Sequence, residues 1–241
     1  MEEHNNAQAP ETASPTSSTK TNFSVPIAIV IAGLAIAAAV YFGNNKKITV
    51  PSDKEPNVVV SAVTADDHIL GNPRAKVVIV EYSDTECPFC KMFHDTMNKV
   101  MGEYGEGGNV AWVYRHYPLP FHQKAPKEAE ATECANKLGG TEKFWTYINT
   151  IFRVTQGNDS LSETELPRIA REIGLDETAF MNCLSSGEMQ SRIERDMKSG
   201  QTAGVNGTPH SIVLVNGNVV GTIKGAQPYE QVKAIVEAAL K

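Results

Sequence analysis

The sequence places two cysteines, Cys87 and Cys90, in a C-P-F-C motif. Two thiols at this spacing can form a disulfide and pass it to another molecule by thiol–disulfide exchange. The alternatives are a structural disulfide, half of a zinc site, or two ordinary buried cysteines. A structural bridge across so short a loop would add little stability, and the other two cysteines are too far apart in sequence to supply the second close ligand pair that zinc needs. The motif therefore favours redox chemistry.

The elements around the motif predict where the cysteines lie. Val77–Tyr82 is short, apolar and rich in β-branched residues, which is typical of a buried central strand. Pro88–Tyr104 carries apolar residues at helical spacing, and Asn109–Tyr117 predicts a second strand. The order strand–helix–strand predicts a βαβ unit with parallel strands, in which the cysteine pair begins the helix.

A helix N-terminus changes the acidity of a thiol. Its free N–H groups and the positive end of the helix dipole stabilise a thiolate at Cys87, and such sites lower a thiol pKa from about 8.5 to ~3.5–7.5. We therefore expect Cys87 to be the exposed, reactive sulfur and Cys90, one turn further on, to be the buried resolving partner. Pro88 suits the first turn because its φ is fixed.

The rest of the chain predicts helices and then a hairpin. About 80 residues of helical character follow the second strand, with one helix ending at a Gly pair and another capped by Ser162. Strands are predicted at Ser211–Val215 and Val219–Ile223, joined by an Asn-Gly turn, before a closing helix at Pro228–Leu240.

The N-terminal region predicts three segments. Residues 1–22 are polar and predict a disordered tail. Residues 23–43 are uncharged. The 19 residues from 25 to 43 would span roughly 28 Å as a helix and predict a transmembrane anchor; a cleaved signal peptide and a buried helix are the alternatives. Residues 44–66 predict a linker with one short edge strand at Val58–Val60, and residues 67–241 a compact domain.

Composition limits the class of partner. The formal net charge is −6 and no Lys/Arg-rich run is present, so nucleic acid is not expected as a partner. Lys46 and Lys47 follow the apolar segment whereas only Lys20 precedes it, and the positive-inside rule would then place the C-terminal domain in the cytoplasm. A disulfide-forming role predicts the opposite orientation, and we give that argument more weight.

Four segments together resemble the DsbA-like thiol–disulfide oxidoreductases of the thioredoxin superfamily. These segments are DDHILGNPRAKVVIVEYSDTECPFC, YRHYPLPFHQKA, ATECANKLGGTEKFW and GVNGTPHSIVLVNG. They follow the family's order and approximate spacing over residues 67–241. The resemblance implies an α/β, thioredoxin-like fold with an inserted helical subdomain at about 122–204, here preceded by one N-terminal transmembrane helix.

The resemblance also implies roles for single residues. Thr208-Pro209 matches the family's X–cis-Pro element, which packs beside the redox pair and pairs with substrate backbone; the alternative is an ordinary loop proline. Glu81 matches an acid that relays protons to the buried cysteine, with an edge-strand Glu facing water as the alternative. A bridge between Cys134 and Cys183 occurs in some members, and two free buried cysteines are the alternative.

One residue departs from the family pattern. The best-known members carry His where this chain has Phe89, which puts an extremely oxidising potential in doubt. His210, directly after Pro209, is expected to be a solvated bystander rather than a substitute.

The resemblance implies an enzyme that introduces disulfides into unfolded exported proteins. The groove around Pro88, Phe89 and Thr208-Pro209 would hold them loosely, and a membrane quinone-linked thiol oxidase would re-oxidise the pair. A monomer outside the cytoplasm is expected, without metal or a cofactor other than the Cys87–Cys90 disulfide. A reductase on the same scaffold and a non-catalytic, chaperone-like module are alternatives. An isomerase is not expected, because residues 44–66 are too short for a dimerisation domain.

Overall fold

The computed structural model describes residues 58–241. The predicted disordered tail, the predicted anchor at 23–43 and residues 44–57 of the linker lie outside the described residues. Within the described part, no helix combines the length and the apolar character that crossing a bilayer requires.

The described residues form five strands and six helices. The strands are β1 His68–Gly71, β2 Val77–Ser83, β3 Val110–His116, β4 His210–Val215 and β5 Asn218–Lys224. The helices are α1 Pro88–Tyr104, α2 Ala125–Val154, α3 Glu165–Glu172, α4 Glu177–Ser186, α5 Gln190–Thr202 and α6 Tyr229–Ala239.

The strands make one mixed sheet in the order β1-β3-β2-β4-β5. Strands β2 and β3 are parallel, and α1 connects them, so the predicted βαβ unit is confirmed. The other three pairs are antiparallel. This arrangement puts β2 in the middle of the sheet and the start of α1 at its carboxyl end.

Strand β2 is buried along all seven residues because both faces of the sheet are covered. Ile79 packs with Phe93 of α1 in one apolar cluster, whereas Val80 and Tyr82 belong to a second cluster on the opposite face. Since side chains alternate along a strand, Glu81 shares the face of Ile79. The side chain of Glu81 therefore points toward the helix that carries the cysteines.

Helices α2 to α5 form the insertion between β3 and β4, as the sequence predicts. Helix α2 is kinked at Gly140, whose φ is 72° and ψ is −172°. The predicted stop at the glycine pair is therefore a kink from which the helix resumes at once. The insertion has its own apolar core, in which Tyr147, Ile169 and Phe180 surround the disulfide between Cys134 and Cys183.

Two local predictions were wrong. Val58–Val60 is not a strand: Val58 and Val60 pack against the sheet without joining it, and the edge strand is His68–Gly71, paired to β3. Ser162 does not cap a helix, since α3 begins at Glu165 and Thr164 occupies the N-cap position. The Val58 and Val60 side chains gain burial on the sheet without strand pairing, and the Ser162 hydroxyl accepts from the Thr164 N–H in the turn before the helix.

Removing the second disulfide should destabilise the insertion. Cys134 of α2 and Cys183 of α4 are 49 positions apart and buried. In the chain-entropy model, closing such a loop raises the free energy of the unfolded chain by about 4 kcal/mol at 25 °C, because it removes conformational entropy. We expect the double variant Cys134→Ala/Cys183→Ala to lose up to that much free energy of unfolding, measured in denaturant under oxidising conditions. An unchanged midpoint would contradict a stabilising role for the bridge.

Candidate active site

Cys87 occupies the N-cap of α1, with extended φ and ψ of −81° and 117°, and Pro88 is the first helical residue. The residue Cys87 is 5 % exposed and Cys90 is fully buried, and both are free thiols. Both cysteines are therefore buried, which corrects the expectation of an exposed Cys87. Cys87, at the N-cap, keeps a small exposed fraction, whereas Cys90 has none.

The two sulfurs have opposite acidities. A hydrogen bond from the Cys90 thiol, together with the N–H groups of Cys90 and Phe89, lowers the pKa of Cys87 to about 6 although partial burial acts against it. Burial raises the pKa of Cys90 well above its usual range, and the neighbouring Cys87 and Glu81 add to this effect. Cys87 is consequently the nucleophile at neutral pH, and Cys90 carries a proton.

The peptide bond between Thr208 and Pro209 is cis. The Thr208 carbonyl lies 3.5 Å from the Cys87 Sγ and accepts its hydrogen bond when the thiol is protonated. Strand β4 begins at the next residue and pairs with β2. The sheet thus fixes this loop directly against the reactive sulfur.

Glu81 is fully buried in the central strand, so the alternative of an edge carboxylate facing water does not hold. Its Oε2 accepts a hydrogen bond of 2.9 Å from the Trp112 indole N–H. Burial raises the pKa of Glu81 to about 7, against the opposing effect of the nearby Ser83 hydroxyl and of the hydrogen bond from Trp112. A carboxyl group with this pKa can give or take a proton near neutral pH.

Hydroxyl groups surround the Glu81 carboxyl. Tyr114 of β3 and Ser211 of β4 are its register partners on the two neighbouring strands, and Ser83 lies two residues along β2 on the same face. All three are buried. The Glu81 charge raises the pKa of Cys90, so the two groups are electrostatically coupled inside this polar pocket.

Asp84 is a site residue that sequence reasoning missed. Its backbone N–H points at the Cys90 Sγ, 3.4 Å away, while its carboxylate accepts from His122 Nδ1 at 2.8 Å and from the Leu119 N–H at 2.7 Å. Asp84 therefore joins the loop before the motif to the loop after β3. The acid three residues before the first cysteine was the signal, but its partners are distant in sequence.

The insertion packs directly on the start of α1. The Glu86 carbonyl accepts from the Asn158 N–H at 2.7 Å, and the buried Glu86 carboxylate accepts from the Ser160 N–H at 3.2 Å. Gly157 has a φ of 80°, and a Cβ there would lie 2.9 Å from Pro88 Cγ. Only glycine allows this close approach, through which the insertion holds the motif in place.

The nearby histidines do not replace the missing histidine of the motif. Burial lowers the pKa of His94, on α1, to about 4, and its Nε2 lies 2.6 Å from the Asn149 side-chain oxygen. His210 is buried, so the expectation of a solvated bystander was wrong; its register partner is Tyr82, which places it on the sheet face opposite Glu81. Phe89 itself is 61 % exposed.

Exposed apolar side chains flank the motif. Phe89 and Met92 are three residues apart on α1 and both are exposed, so they share one helix face. Phe121, also exposed, precedes the histidine that bonds to Asp84. Exposed apolar groups of this kind mark a surface for contact with another molecule.

Comparison with known proteins finds relatives with a thioredoxin-like fold. A family model described as Thioredoxin matches residues 63–238. Among solved structures, Pseudomonas aeruginosa DsbA2 is 28 % identical, with a TM-score of 0.59 over 74 % of this chain and 97 % of that one. Bacillus subtilis BdbD, at 24 % identity, has a TM-score of 0.64 over 77 % and 99 %.

Curated relatives match over a shorter share of their length. The Na(+)/H(+) antiporter NhaA of Herminiimonas arsenicoxydans is 31 % identical over 173 residues, which are 72 % of this chain and 25 % of the antiporter. NhaA 3 of Salinispora tropica is 32 % identical over 152 residues, or 63 % and 22 %. This chain thus spans about a quarter of the first of these relatives and less of the second.

The fold is similar to that of the solved DsbA structures. The chain belongs to the thioredoxin family. Exchange through Cys87 and Cys90 is the chemistry that this site can carry out.

The acidity of Cys87 can be measured directly. With its pKa lowered from 9.0 to about 6 in the fold, the thiolate stabilises the reduced protein fully above about pH 9, and this stabilisation is lost as the pH falls through about 6. We expect the thiolate absorbance of the reduced protein to titrate near pH 6, and its stability relative to the oxidised form to rise between these limits. Titration near pH 9 would contradict the assignment.

Proposed function

We propose that the chain is a dithiol oxidase that introduces disulfides into exported proteins. The observation that carries the proposal is the lowered pKa of Cys87 beside a Cys90 whose pKa is raised. Stabilising the thiolate stabilises the reduced pair, and a pair with a stable reduced form is a stronger oxidant. The direction of exchange is therefore from the chain to its substrate.

The reaction proceeds in two exchanges. A substrate thiolate attacks Cys87 Sγ of the oxidised pair, the Cys87–Cys90 bond breaks, and Cys90 leaves as a thiolate that takes up a proton. A second substrate thiolate then attacks the substrate sulfur of the mixed disulfide and releases Cys87 as a thiolate. The substrate loses two electrons and gains a disulfide, and the enzyme is left reduced.

Glu81 supplies the proton in this scheme. The leaving Cys90 is buried and its pKa is raised well above the usual range, so it must be protonated as it leaves. Glu81 has a pKa of about 7, is buried on the same side of the sheet, and shares a polar pocket with Tyr114 and Ser211. It acts as the general acid here and as the base in the reverse step.

Unfolded, newly exported proteins are the proposed substrates. The exposed side chains of Phe89, Met92 and Phe121 offer apolar contact at the surface, which suits chains that share little sequence. We propose that the backbone at Thr208, next to the reactive sulfur, pairs with substrate backbone on either side of the attacked cysteine.

The cellular setting is part of the proposal. The uncharged segment within 23–43 would anchor the domain on the extracytoplasmic side of a membrane, where disulfides persist. Re-oxidation of Cys87 and Cys90 requires an acceptor for two electrons, and a membrane quinone-linked thiol oxidase is the proposed partner. We propose that the chain acts as a monomer.

A reductase on the same scaffold is the second candidate, and Phe89 is the observation that favours it. Phenylalanine offers no hydrogen-bond donor to the thiolate, so the lowered pKa of Cys87 depends on the Cys90 thiol, on Thr208 and on backbone N–H groups. The reduction potential of the Cys87–Cys90 pair would then be lower than that of relatives with a histidine at this position.

The reduction potential of the Cys87–Cys90 pair separates the two candidates. The chain is equilibrated in glutathione buffers, and mass spectrometry follows both cysteine pairs. A value between about −120 and −200 mV supports the oxidase, whereas one near −270 mV supports the reductase. A pair that does not exchange with glutathione would exclude both and leave a non-catalytic binding module.

A further inference from the structure

Three buried side chains that the redox chemistry does not use converge at one point. His68 of β1, His116 of β3 and Glu133 of α2 are each 4 % exposed or less. The Nε2 atoms of the two histidines lie 2.7 Å and 3.1 Å from the same Glu133 Oε1. Their possible ligand atoms all lie within 4.8 Å of one another.

Hydrogen bonding alone does not account well for this convergence. Arg192 Nε also approaches the same Glu133 oxygen, at 3.4 Å. One carboxylate oxygen has two lone-pair sites, yet three nitrogen groups point at it. Within residues 58–241, neither Arg192 Nε nor Nη2 makes a hydrogen bond of acceptable geometry.

We propose that His68 Nε2, His116 Nε2 and Glu133 Oε1 form a site for a divalent transition-metal ion of the zinc type. Two imidazole nitrogens and one carboxylate oxygen are a ligand set that zinc accepts, with bonds of about 2.0–2.2 Å and an open fourth position. Tetrahedral bonds of this length separate ligand atoms by roughly 3.3–3.6 Å, so both histidine nitrogens, now 2.7 Å and 3.1 Å from Glu133 Oε1, must move outward by less than about 1 Å.

The surroundings favour this class of ion over calcium or magnesium. Those ions prefer all-oxygen ligand sets, whereas imidazole nitrogen suits zinc, copper, nickel and iron. The Thr132 hydroxyl, 3.2 Å from His116 Nε2, is the nearest side-chain candidate for the fourth position, with water as the other. The Phe144 ring stacks on His68 at 3.5 Å between centroids and fixes the ring plane.

Arg192 acts as an internal competitor for the ion. Its guanidinium lies on α5 at the rim of the cluster, with 13 % of the side chain exposed, and makes long ion pairs to Glu133 and Asp196. A positive charge beside the ligands weakens metal binding. An arriving ion must displace this guanidinium toward solvent, which the exposed part of the side chain allows.

A bound ion would join the sheet to the insertion. The three ligands come from the edge strand, from β3 and from the first half of α2, so the ion would replace the hydrogen bonds between these elements with coordinate bonds. An ion that binds the folded chain and not the unfolded one stabilises the fold. This role goes beyond the proposed oxidase function and does not depend on it.

The test uses the full chain without an affinity tag and with Cys87→Ser and Cys90→Ser, so that the redox thiols cannot bind metal. Zn²⁺ is titrated by calorimetry, and Co²⁺ serves as a spectroscopic probe. We expect one ion per chain, visible Co²⁺ absorption typical of tetrahedral nitrogen and oxygen ligands, and an increase in melting temperature on Zn²⁺ addition.

Matched variants locate the ion. Glu133→Gln should abolish stoichiometric binding, whereas Glu130→Gln, one turn earlier on the same helix, should leave it unchanged. Arg192→Gln should tighten binding. If Glu133→Gln does not fold, the Co²⁺ spectrum of the chain with all three ligands intact still decides the question.

Three results would overturn the proposal. They are the absence of stoichiometric Zn²⁺ binding by the folded chain, equal binding by the Glu133→Gln and Glu130→Gln variants, and displacement of Zn²⁺ by equimolar Ca²⁺. None of these results bears on the reduction potential of Cys87 and Cys90, so the metal site and the oxidase function can fail independently.

Discussion

Replacing either cysteine of the motif should reduce turnover to the uncatalysed rate of thiol exchange, but the two variants should differ in what they accumulate. With Cys90→Ser, Cys87 keeps its place at the N-cap of α1 and its contact with the Thr208 carbonyl. It should attack a disulfide-containing peptide and remain joined to it, because no second thiol can resolve the bond. With Cys87→Ser, the remaining Cys90 is fully buried and protonated and should form no adduct.

Mass spectrometry of the two variants, incubated with the same peptide at neutral pH, measures this difference. The peptide adduct should appear on the Cys90→Ser chain alone. The control is the double variant Cys134→Ala/Cys183→Ala, in which Cys87 and Cys90 are unchanged. It should retain turnover because the bridge that it lacks lies in the core of the insertion. Equal adduct formation by both single variants would show that Cys87 is not the attacking residue.

Replacing Glu81 with glutamine should slow exchange while stabilising the protein. Glutamine keeps an acceptor for the Trp112 N–H but cannot donate or accept the proton that Cys90 needs. General acid–base catalysis contributes roughly 10²–10⁴-fold to rates, so we expect a loss of roughly a hundredfold in the oxidation of a dithiol peptide. The loss should be greatest below pH 7, where the native carboxyl holds its proton.

The stability change in the same variant has a defined pH dependence. The pKa of Glu81 is raised from 4.5 to about 7 in the fold, so the contribution of Glu81 to stability is greatest below pH 4.5 and is lost as the pH rises through about 7. The Glu81→Gln variant should not show this loss, so above pH 7 its free energy of unfolding should exceed that of the native chain by about 3 kcal/mol. Denaturant unfolding at several pH values measures the difference.

An exposed acid outside the active site provides the matched control. Glu106, just beyond α1, is exposed, and Glu106→Gln should change neither the exchange rate nor the pH dependence of stability. If Glu81→Gln exchanges thiols at the native rate across the pH range, Glu81 has no part in proton transfer and its burial has another cause.

Local sequence determined the position of the cysteine pair. Val77–Tyr82 is continuously apolar and Pro88–Tyr104 has helical periodicity, and these short-range patterns specify a strand and a helix because each reflects burial of neighbouring side chains. The C-P-F-C motif falls at their junction, so the thiolate-stabilising helix N-terminus could be predicted without knowledge of the rest of the fold. The parallel pairing of β2 and β3 also follows from their order.

The tertiary structure alone decided the partners of the buried charges. Glu81 meets Trp112, Asp84 meets His122, and the Glu86 carboxylate meets the backbone of the insertion. Each contact joins residues 31 or more positions apart. Strand register and the docking of the insertion set these pairs, and neither leaves a periodic signal in the sequence.

The same reason explains the cluster of His68, His116 and Glu133. The motif could be read from consecutive residues, whereas these three lie on separate elements and their spacing matches no local pattern of metal ligands. Hydrophobic periodicity determined which elements form, because it acts over a few residues. The packing of β1, β3 and α2 determined which polar side chains meet, because that depends on how the whole chain buries its apolar surface.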